Sequence, residues 1–153
     1  VEAVPLALAE VLGRLREEAM ALLGDERFAI ACEPTPETLT VHGNADALHS
    51  IMLNLITNSR QIIGEDCRVL VTVSVHTGFV TLRFLDNGPG VAPAEQARIF
   101  EPFHTTRPGG TGLGLSVAQA IARAHGGELQ LNPAFTTGAC FELSLPFSIE
   151  KTA

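Results

Sequence analysis

Two glycine-rich turns limit how this chain can fold. The first is Asp-Asn-Gly-Pro-Gly at Asp86–Gly90, and the second is Gly-Thr-Gly-Leu-Gly at Gly110–Gly114. The stretch between them, Asn87 to Gly110, is long for a loop in a compact domain, and loops of that length are usually functional. The sequence therefore predicts a mobile lid between a strand that ends at Asp86 and a helix that begins near Gly112.

The composition is that of one folded domain. The chain has 153 residues, 46% of them apolar, and this length is sufficient for a real core. No apolar run approaches the ~18–20 residues of a membrane span, so we expect no direct membrane contact by this segment. Because the chain begins with Val1 rather than Met, we expect it to be a piece of a longer protein.

The net charge and the cysteine content limit which partner classes and which cell compartment we expect for this chain. The net charge of −7 argues against a nucleic-acid surface, which requires a basic stripe. Any polyphosphate must then be held by local backbone donors and a metal. Cys32, Cys67 and Cys140 are scattered and lack metal-ligand spacing, so we expect buried, reduced thiols and a cytoplasmic location.

Hydrophobic periodicity predicts three main helices. The first covers Leu8 to Leu22, with Pro5 near its start and Gly24 as its stop signal. The second begins after Asn44, a good N-cap residue. The third runs from about Gly112 to His125, and a short helical segment is expected around 94–99.

The strand candidates complete the predicted fold. They are rich in β-branched and aromatic residues and lie at 28–31, 39–42, 69–75, 79–85, 128–131 and 139–147. Their order around the helices predicts an α+β fold, a two-layer α/β sandwich. Its sheet is mixed and mostly antiparallel, with the helices on one face.

Two amides stand in the apolar pattern of the second helix. Asn54 and Asn58 are four residues apart, so they project from the same side of that helix. Polar amides in such a stripe cost free energy unless something bonds them, either a core partner or a ligand. An amide oxygen is a hard, neutral ligand that suits Mg²⁺, which also bridges phosphates.

The first turn carries a carboxylate at the end of a strand. Asp86 can accept a hydrogen bond from an exocyclic amino group, which distinguishes adenine from guanine at that edge. Gly88 and Gly90 let the backbone pass close to a flat base. The alternative is an ordinary turn in which Asp86 bonds its own backbone.

The second turn opens the third helix. Exposed N–H groups at a helix start, with no Cβ in the way, form a phosphate site. Arg107, in the lid, is a candidate to neutralise terminal phosphate charge, or else a solvated loop residue. The chain contains neither a Walker loop nor the His-Arg-Asp loop of protein kinases.

Together these motifs resemble the catalytic ATP-binding domain of sensor histidine kinases. The resemblance rests on the segments 54–58, 86–90, 100–103 and 110–115, which match the N, G1, F and G2 boxes, and on 138–141, a final glycine box. The residues at 58–61 and 103–110 resemble most those of nitrogen-regulation-type sensor kinases. The resemblance implies the Bergerat ATP-binding fold over 1–153 as a single domain, with a phosphoacceptor and dimerisation domain upstream and absent here.

The resemblance also implies a site. It gives catalytic roles to Asn54, Asn58 and Arg107. Asn58 would bind the magnesium ion and Asp86 the adenine amino group, while Phe100 and Phe103 would tether the lid. The implied contacts to ATP or ADP are made by Asn54, Asn58, Gln61, Ile62, Asp86, Gly88, Gly90, Phe103, His104, Thr105, Arg107, Gly110, Thr111, Gly112, Leu113, Gly114 and Leu115.

Three positions depart from the pattern of many relatives. Gln61 stands where a lysine often reaches a phosphate, and His104 stands where an aromatic residue is usual. Ala139 replaces a threonine whose hydroxyl often joins a water at the adenine. Arg107 is then the candidate for the phosphate contact that the lysine makes in those relatives, and the water contact of the threonine is not expected at Ala139.

The implied activity is donation of the γ-phosphate of Mg-ATP to a histidine on that dimerisation domain, which then serves a response regulator. Gyrase, mismatch-repair and heat-shock chaperone ATPases resemble each other in placing a glutamate where this chain has Asn54, and an amide cannot take a proton. Phosphate transfer is thus favoured over hydrolysis. The alternatives are an ATP-hydrolysing conformational clamp and a degenerate nucleotide-binding module that only contacts a partner protein.

Overall fold

The computed structural model describes residues 3–32, 39–104 and 114–149. The strands are β1 (Val4–Ala7), β2 (Phe28–Cys32), β3 (Leu39–Gly43), β4 (Val69–His76), β5 (Phe79–Asp86), β6 (Glu128–Leu131) and β7 (Cys140–Ile149). The helices are α1 (Leu8–Leu23), α2 (Ala45–Ile63), α3 (Pro93–Gln96) and α4 (Gly114–Ala124). The predicted α+β class is confirmed, and apart from β1 the described elements follow the predicted order.

The described strands form one sheet in the order β1-β3-β7-β5-β4-β2, and β6 also pairs with β7. Every pairing is antiparallel except that of β2 with β4. The long strand β7 lies along β5 over 140–146, while its last residues, 147–149, pair with β3. The predicted mixed, mostly antiparallel sheet is therefore correct.

The helices cover one face of this sheet. Inward positions alternate along the central strands and share one core with Leu15 of α1, Ile51 and Leu55 of α2, and Ala122 of α4. These strand positions are Val69, Val71, Val73, Val80, Leu82, Phe84, Phe141, Leu143 and Leu145. The intervening positions carry polar contacts such as Arg83 Nε to Glu142 Oε2, at 2.6 Å. This alternation is what a sheet with one covered face requires.

Side-chain capping places the start of α2. Asn44 Oδ1 accepts a hydrogen bond from the Ala47 N–H at 2.8 Å, as an N-cap residue does. The Asn44 N–H donates to Nε2 of His125 at 3.2 Å, and His125 Nδ1 lies 2.8 Å from the Ile121 carbonyl. His125 thus joins the end of α4 to the beginning of α2.

Strand β1 was not predicted. Pro5, expected near the start of the first helix, instead lies in β1 opposite His42 of β3, and α1 begins at Leu8. Proline is tolerated in edge strands, and β1 lies at the end of the described sheet. A four-residue strand that pairs with residues 40–43 gives no local periodicity. Gly24, the predicted stop, does end α1, with φ of 94°.

The cysteine prediction is correct for two residues and wrong for the third. Cys67 and Cys140 are buried, whereas Cys32 is exposed because it ends the edge strand β2. Burial raises the pKa of the Cys67 thiol, and burial raises the pKa of the Cys140 thiol to about 11. Both buried thiols are therefore protonated at neutral pH, and protonated thiols are poor nucleophiles.

We expect iodoacetamide at neutral pH to alkylate Cys32 in the folded chain and to spare Cys67 and Cys140. All three should react in denaturant, because unfolding removes the burial that protects the two core thiols. Peptide mapping by mass spectrometry after timed quenching measures the three rates separately. Alkylation of Cys140 in the native chain at the rate of Cys32 would contradict the burial of Cys140.

In the part of the chain that the structure describes, no helix has both the length and the apolar content needed to cross a bilayer.

Candidate functional site

A cleft of ≈ 310 Å³ opens between α2, the turn after β5 and the first residues of α4. Its volume is within the range of small-molecule sites. The sequence-predicted residues in its wall are Asn54, Asn58, Ile62, Asp86, Gly88, Gly90, His104, Gly114 and Leu115. The fold thus brings residues from three separate predicted motifs to one cavity.

Asp86 is held at the base of this cleft by hydrogen bonds to its carboxylate. Oδ1 accepts from the backbone N–H groups of Gly88 and Ala139, at 3.0 and 2.9 Å. Oδ2 accepts from the hydroxyl of Ser59 at 2.7 Å. The Asp86 N–H in turn donates to the Ala139 carbonyl at 3.0 Å. Asp86 therefore makes the local turn bond to Gly88 and also joins β5 to the start of β7 and to α2.

Glycines allow the backbone to approach Asp86 closely. A Cβ on Gly138 would lie 1.9 Å from the Asp86 carbonyl oxygen, and one on Gly90 would lie 3.0 Å from the Gly138 carbonyl oxygen. A Cβ on Gly88 would lie 2.8 Å from Cγ1 of Ile63 on α2. A side chain at position 88 would therefore press against Ile63 of α2, a role for Gly88 that is distinct from the expected approach to a base.

Asn54 connects α2 to the first residue of α4. Its Nδ2 donates to the Gly114 carbonyl at 3.0 Å, and a Cβ on Gly114 would lie 2.8 Å from Asn54 Oδ1. The amide that the sequence predicts to need a partner has found one across the cleft. Asn54 therefore positions the start of α4 in addition to lining the cavity.

Asn58 lies one turn further along α2, where the cleft meets a shallower groove along that helix. Within 3–32, 39–104 and 114–149, its amide has no hydrogen-bond partner. Those same ranges hold no group of three acidic, histidine or cysteine side chains able to bind a metal. Magnesium binding by Asn58 stays a prediction, and Mg²⁺ is commonly bound by few protein ligands plus substrate phosphates.

Two predicted contacts lie outside the wall of the cleft. Gln61 is exposed and lines the shallower groove. Phe103 is 74% exposed and has a φ of 65°, so it does not pack as the expected tether. Phe100 does pack, edge-on against Phe141 with ring centroids 6.2 Å apart. The contacts of Gln61 and Phe103 with a nucleotide stay predictions.

The remaining predicted site residues lie outside the described residues. They are Thr105, Arg107, Gly110, Thr111, Gly112 and Leu113. Their roles in the lid and the phosphate turn stay predictions.

Two polar residues of the site were not predicted from the sequence. Ser59 follows Asn58 directly and bonds Asp86. Glu95 lines the cleft and bonds Nε2 of His104 through Oε2. Ser59 could have been found as a small hydroxyl residue within the apolar stripe of α2. Glu95, an acidic residue in a short helix, gave no comparable signal in the sequence.

Comparison with known proteins is consistent with this geometry. The family described as histidine kinase-, DNA gyrase B- and HSP90-like ATPase matches residues 43–149. The sensor protein CutS of Streptomyces coelicolor is 36% identical over 95% of this chain and 36% of its own length. The sensor histidine kinase RppB of Synechocystis is 32% identical over 93% of this chain and 33% of its own. The chain thus spans about a third of the length of these relatives.

Solved structures agree in fold. A mycobacterial sensor histidine kinase, MprB, superposes with a TM-score of 0.80 at 28% identity, covering 98% of this chain and 100% of that one. Full-length ShkA in complex with AMPPNP gives a TM-score of 0.78 at 30% identity, over 98% of this chain and 32% of ShkA. The chain belongs to the histidine kinase-, DNA gyrase B- and HSP90-like ATPase family, and within it to the ATP-binding domains of sensor histidine kinases.

Proposed function

We propose that this chain binds Mg-ATP in the cleft and donates the γ-phosphate to a histidine on a separate dimerisation domain. The observation that carries the proposal is Asp86, whose carboxylate is fixed by Gly88, Ala139 and Ser59 and lines the cleft. ShkA, solved with an ATP analogue, supports the same ligand class.

The base is recognised at the Asp86 end. A carboxylate accepts a hydrogen bond from the exocyclic amino group of adenine, and such charge-assisted bonds contribute about 1.5–3 kcal/mol. Ile62, Ile63 and Val91 supply apolar surface in the same wall. Adenine therefore has both an apolar slot and a group that reads its polar edge.

The phosphates extend toward α4 and α2. The first N–H groups of α4, at Gly114 and Leu115, lie at a helix N-terminus, where anions are stabilised. Asn58 would hold Mg²⁺, which supplies charge neutralisation of the phosphate oxygens when bound. Asn54 offers no basic group to activate water. The remaining chemistry is positioning and charge stabilisation, which is what phosphoryl transfer requires.

The partners follow from this role. The chain is proposed to be a single domain over 1–153 that acts on its own upstream phosphoacceptor and dimerisation domain, and through it on a response regulator. It is proposed to work in the cytoplasm without direct membrane contact and without nucleic acid. The net charge of −7 supports the absence of a nucleic-acid partner.

We expect the isolated chain to bind Mg-ATP and Mg-ADP and yet to incorporate no label from γ-labelled ATP, because no acceptor histidine is proposed within it. Titration calorimetry measures the binding, and a phosphorylation assay with and without the parent protein's dimerisation domain measures the transfer. Label should appear only on the added domain.

Three outcomes would contradict the proposal. Robust autophosphorylation of the chain alone would remove the need for a separate acceptor. Steady-state phosphate release that Asn54→Ala abolishes would instead favour an ATP-hydrolysing clamp. Absence of any Mg-ATP binding would favour a degenerate module that only contacts a partner.

A further inference from the structure

The hydrogen bonds already made by Asp86 leave little of its carboxylate for a ligand. Oδ1 accepts from Gly88 and Ala139, at 3.0 and 2.9 Å, and so uses both of its lone pairs. Oδ2 accepts from Ser59 at 2.7 Å and retains one lone pair. The single remaining acceptor position therefore lies on the oxygen that Ser59 contacts.

Ser59 must be the donor in this contact. The Ser59 hydroxyl donates to Oδ2, which accepts through a lone pair, so the hydroxyl proton of Ser59 points to Asp86. Ser59 is only 7% exposed and lines the cleft beside Asp86. With its proton engaged, the hydroxyl offers only lone pairs to a ligand, and the two side chains together present acceptors and no donor.

We propose that Ser59 is a specificity-determining residue of this site, one that positions Asp86 and selects 6-amino purines over 6-oxo purines. The inference rests on the proposed function. A 6-amino group brings N–H donors to a pair of acceptors. A 6-oxo group brings an acceptor, and Ser59 could satisfy it only by withdrawing its proton from Asp86, which leaves a carboxylate oxygen short of its donor.

We expect Ser59→Ala to weaken ADP binding by about fivefold, the usual effect of one lost hydrogen bond, because Oδ2 loses the donor that orients it. Inosine diphosphate, which has a 6-oxo group, should change by less than about twofold, since it gains nothing from an oriented acceptor pair. Titration calorimetry with both nucleotides gives the ratio of the two affinities. Ser59→Thr, which keeps the hydroxyl, should restore most of the preference for ADP.

A double-mutant cycle tests whether Ser59 acts through Asp86. In an Asp86→Asn chain, adding Ser59→Ala should change ADP affinity by less than about twofold, since coupled residues are non-additive. Ser144→Ala is the matched control, because it removes a serine hydroxyl that bonds Thr81 at 3.1 Å, away from the cleft. That variant should bind both nucleotides as the unsubstituted chain does.

The outcomes separate this inference from the proposed function. If the unsubstituted chain binds no ADP, the proposed function fails and the inference fails with it. If it binds ADP but Ser59→Ala weakens both nucleotides equally, or has the same effect with Asn at 86, the specificity role is wrong while the proposed function stands.

Discussion

Replacing Asp86 with asparagine should reduce ADP affinity by at least about tenfold, the effect of losing one charge-assisted hydrogen bond. The amide oxygen can still accept from Gly88 and Ala139, so the turn keeps its two backbone bonds. The amide nitrogen then occupies the position of Oδ2, where it meets the Ser59 hydroxyl and the amino group of adenine as a donor. Titration calorimetry of Mg-ADP on folded protein measures the loss.

Asp66→Asn is the matched control, since it makes the same change of charge on a side chain that is 94% exposed and lies outside the cleft wall. We expect its ADP affinity to be that of the unsubstituted chain. An Asp86→Asn chain with unchanged ADP affinity would remove Asp86 from the site. A large loss in both variants would instead point to the net charge of the chain.

Local signals predicted α2 well. The Asn44 cap and the apolar stripe both act within a few residues, and the helix occupies Ala45–Ile63. Strands β4 and β5 were likewise predicted from their β-branched runs, and in the structure they pair through a turn at Gly78, which has a φ of 79°. Elements defined by neighbouring residues are therefore readable from sequence.

Contacts between elements that are distant in the chain could not be predicted from the sequence in the same way. The amide of Asn54 was expected to need a partner, but nothing in the sequence identified the Gly114 carbonyl, 60 residues away. Ser59 bonds Asp86 only because α2 packs beside the end of β5. Strand β1 depends on β3 in the same sense. The motifs predicted several of the residues that line the cleft, and the fold decided how their hydrogen bonds are shared.

Replacing Gly138 with alanine should destabilise the chain by about 2–4 kcal/mol, the range of severe steric substitutions. The new Cβ would lie 1.9 Å from the Asp86 carbonyl oxygen. That oxygen cannot turn aside cheaply, because Asp86 donates its N–H to Ala139 at 3.0 Å and pairs with Val69 in the sheet. Thermal and denaturant unfolding measure the loss, and ADP binding should weaken with it because the carboxylate moves with its backbone.

Gly13→Ala provides the control for the glycine-to-alanine change itself. Gly13 lies in the exposed part of α1 with no atom within 4 Å of the added Cβ, so the substitution should stabilise the chain by up to about 1 kcal/mol. Opposite signs for the two substitutions would show that close approach of the backbone at Asp86, and not glycine content, requires Gly138. A Gly138→Ala chain as stable as the unsubstituted one would mean that β7 does not begin as close to Asp86 as described.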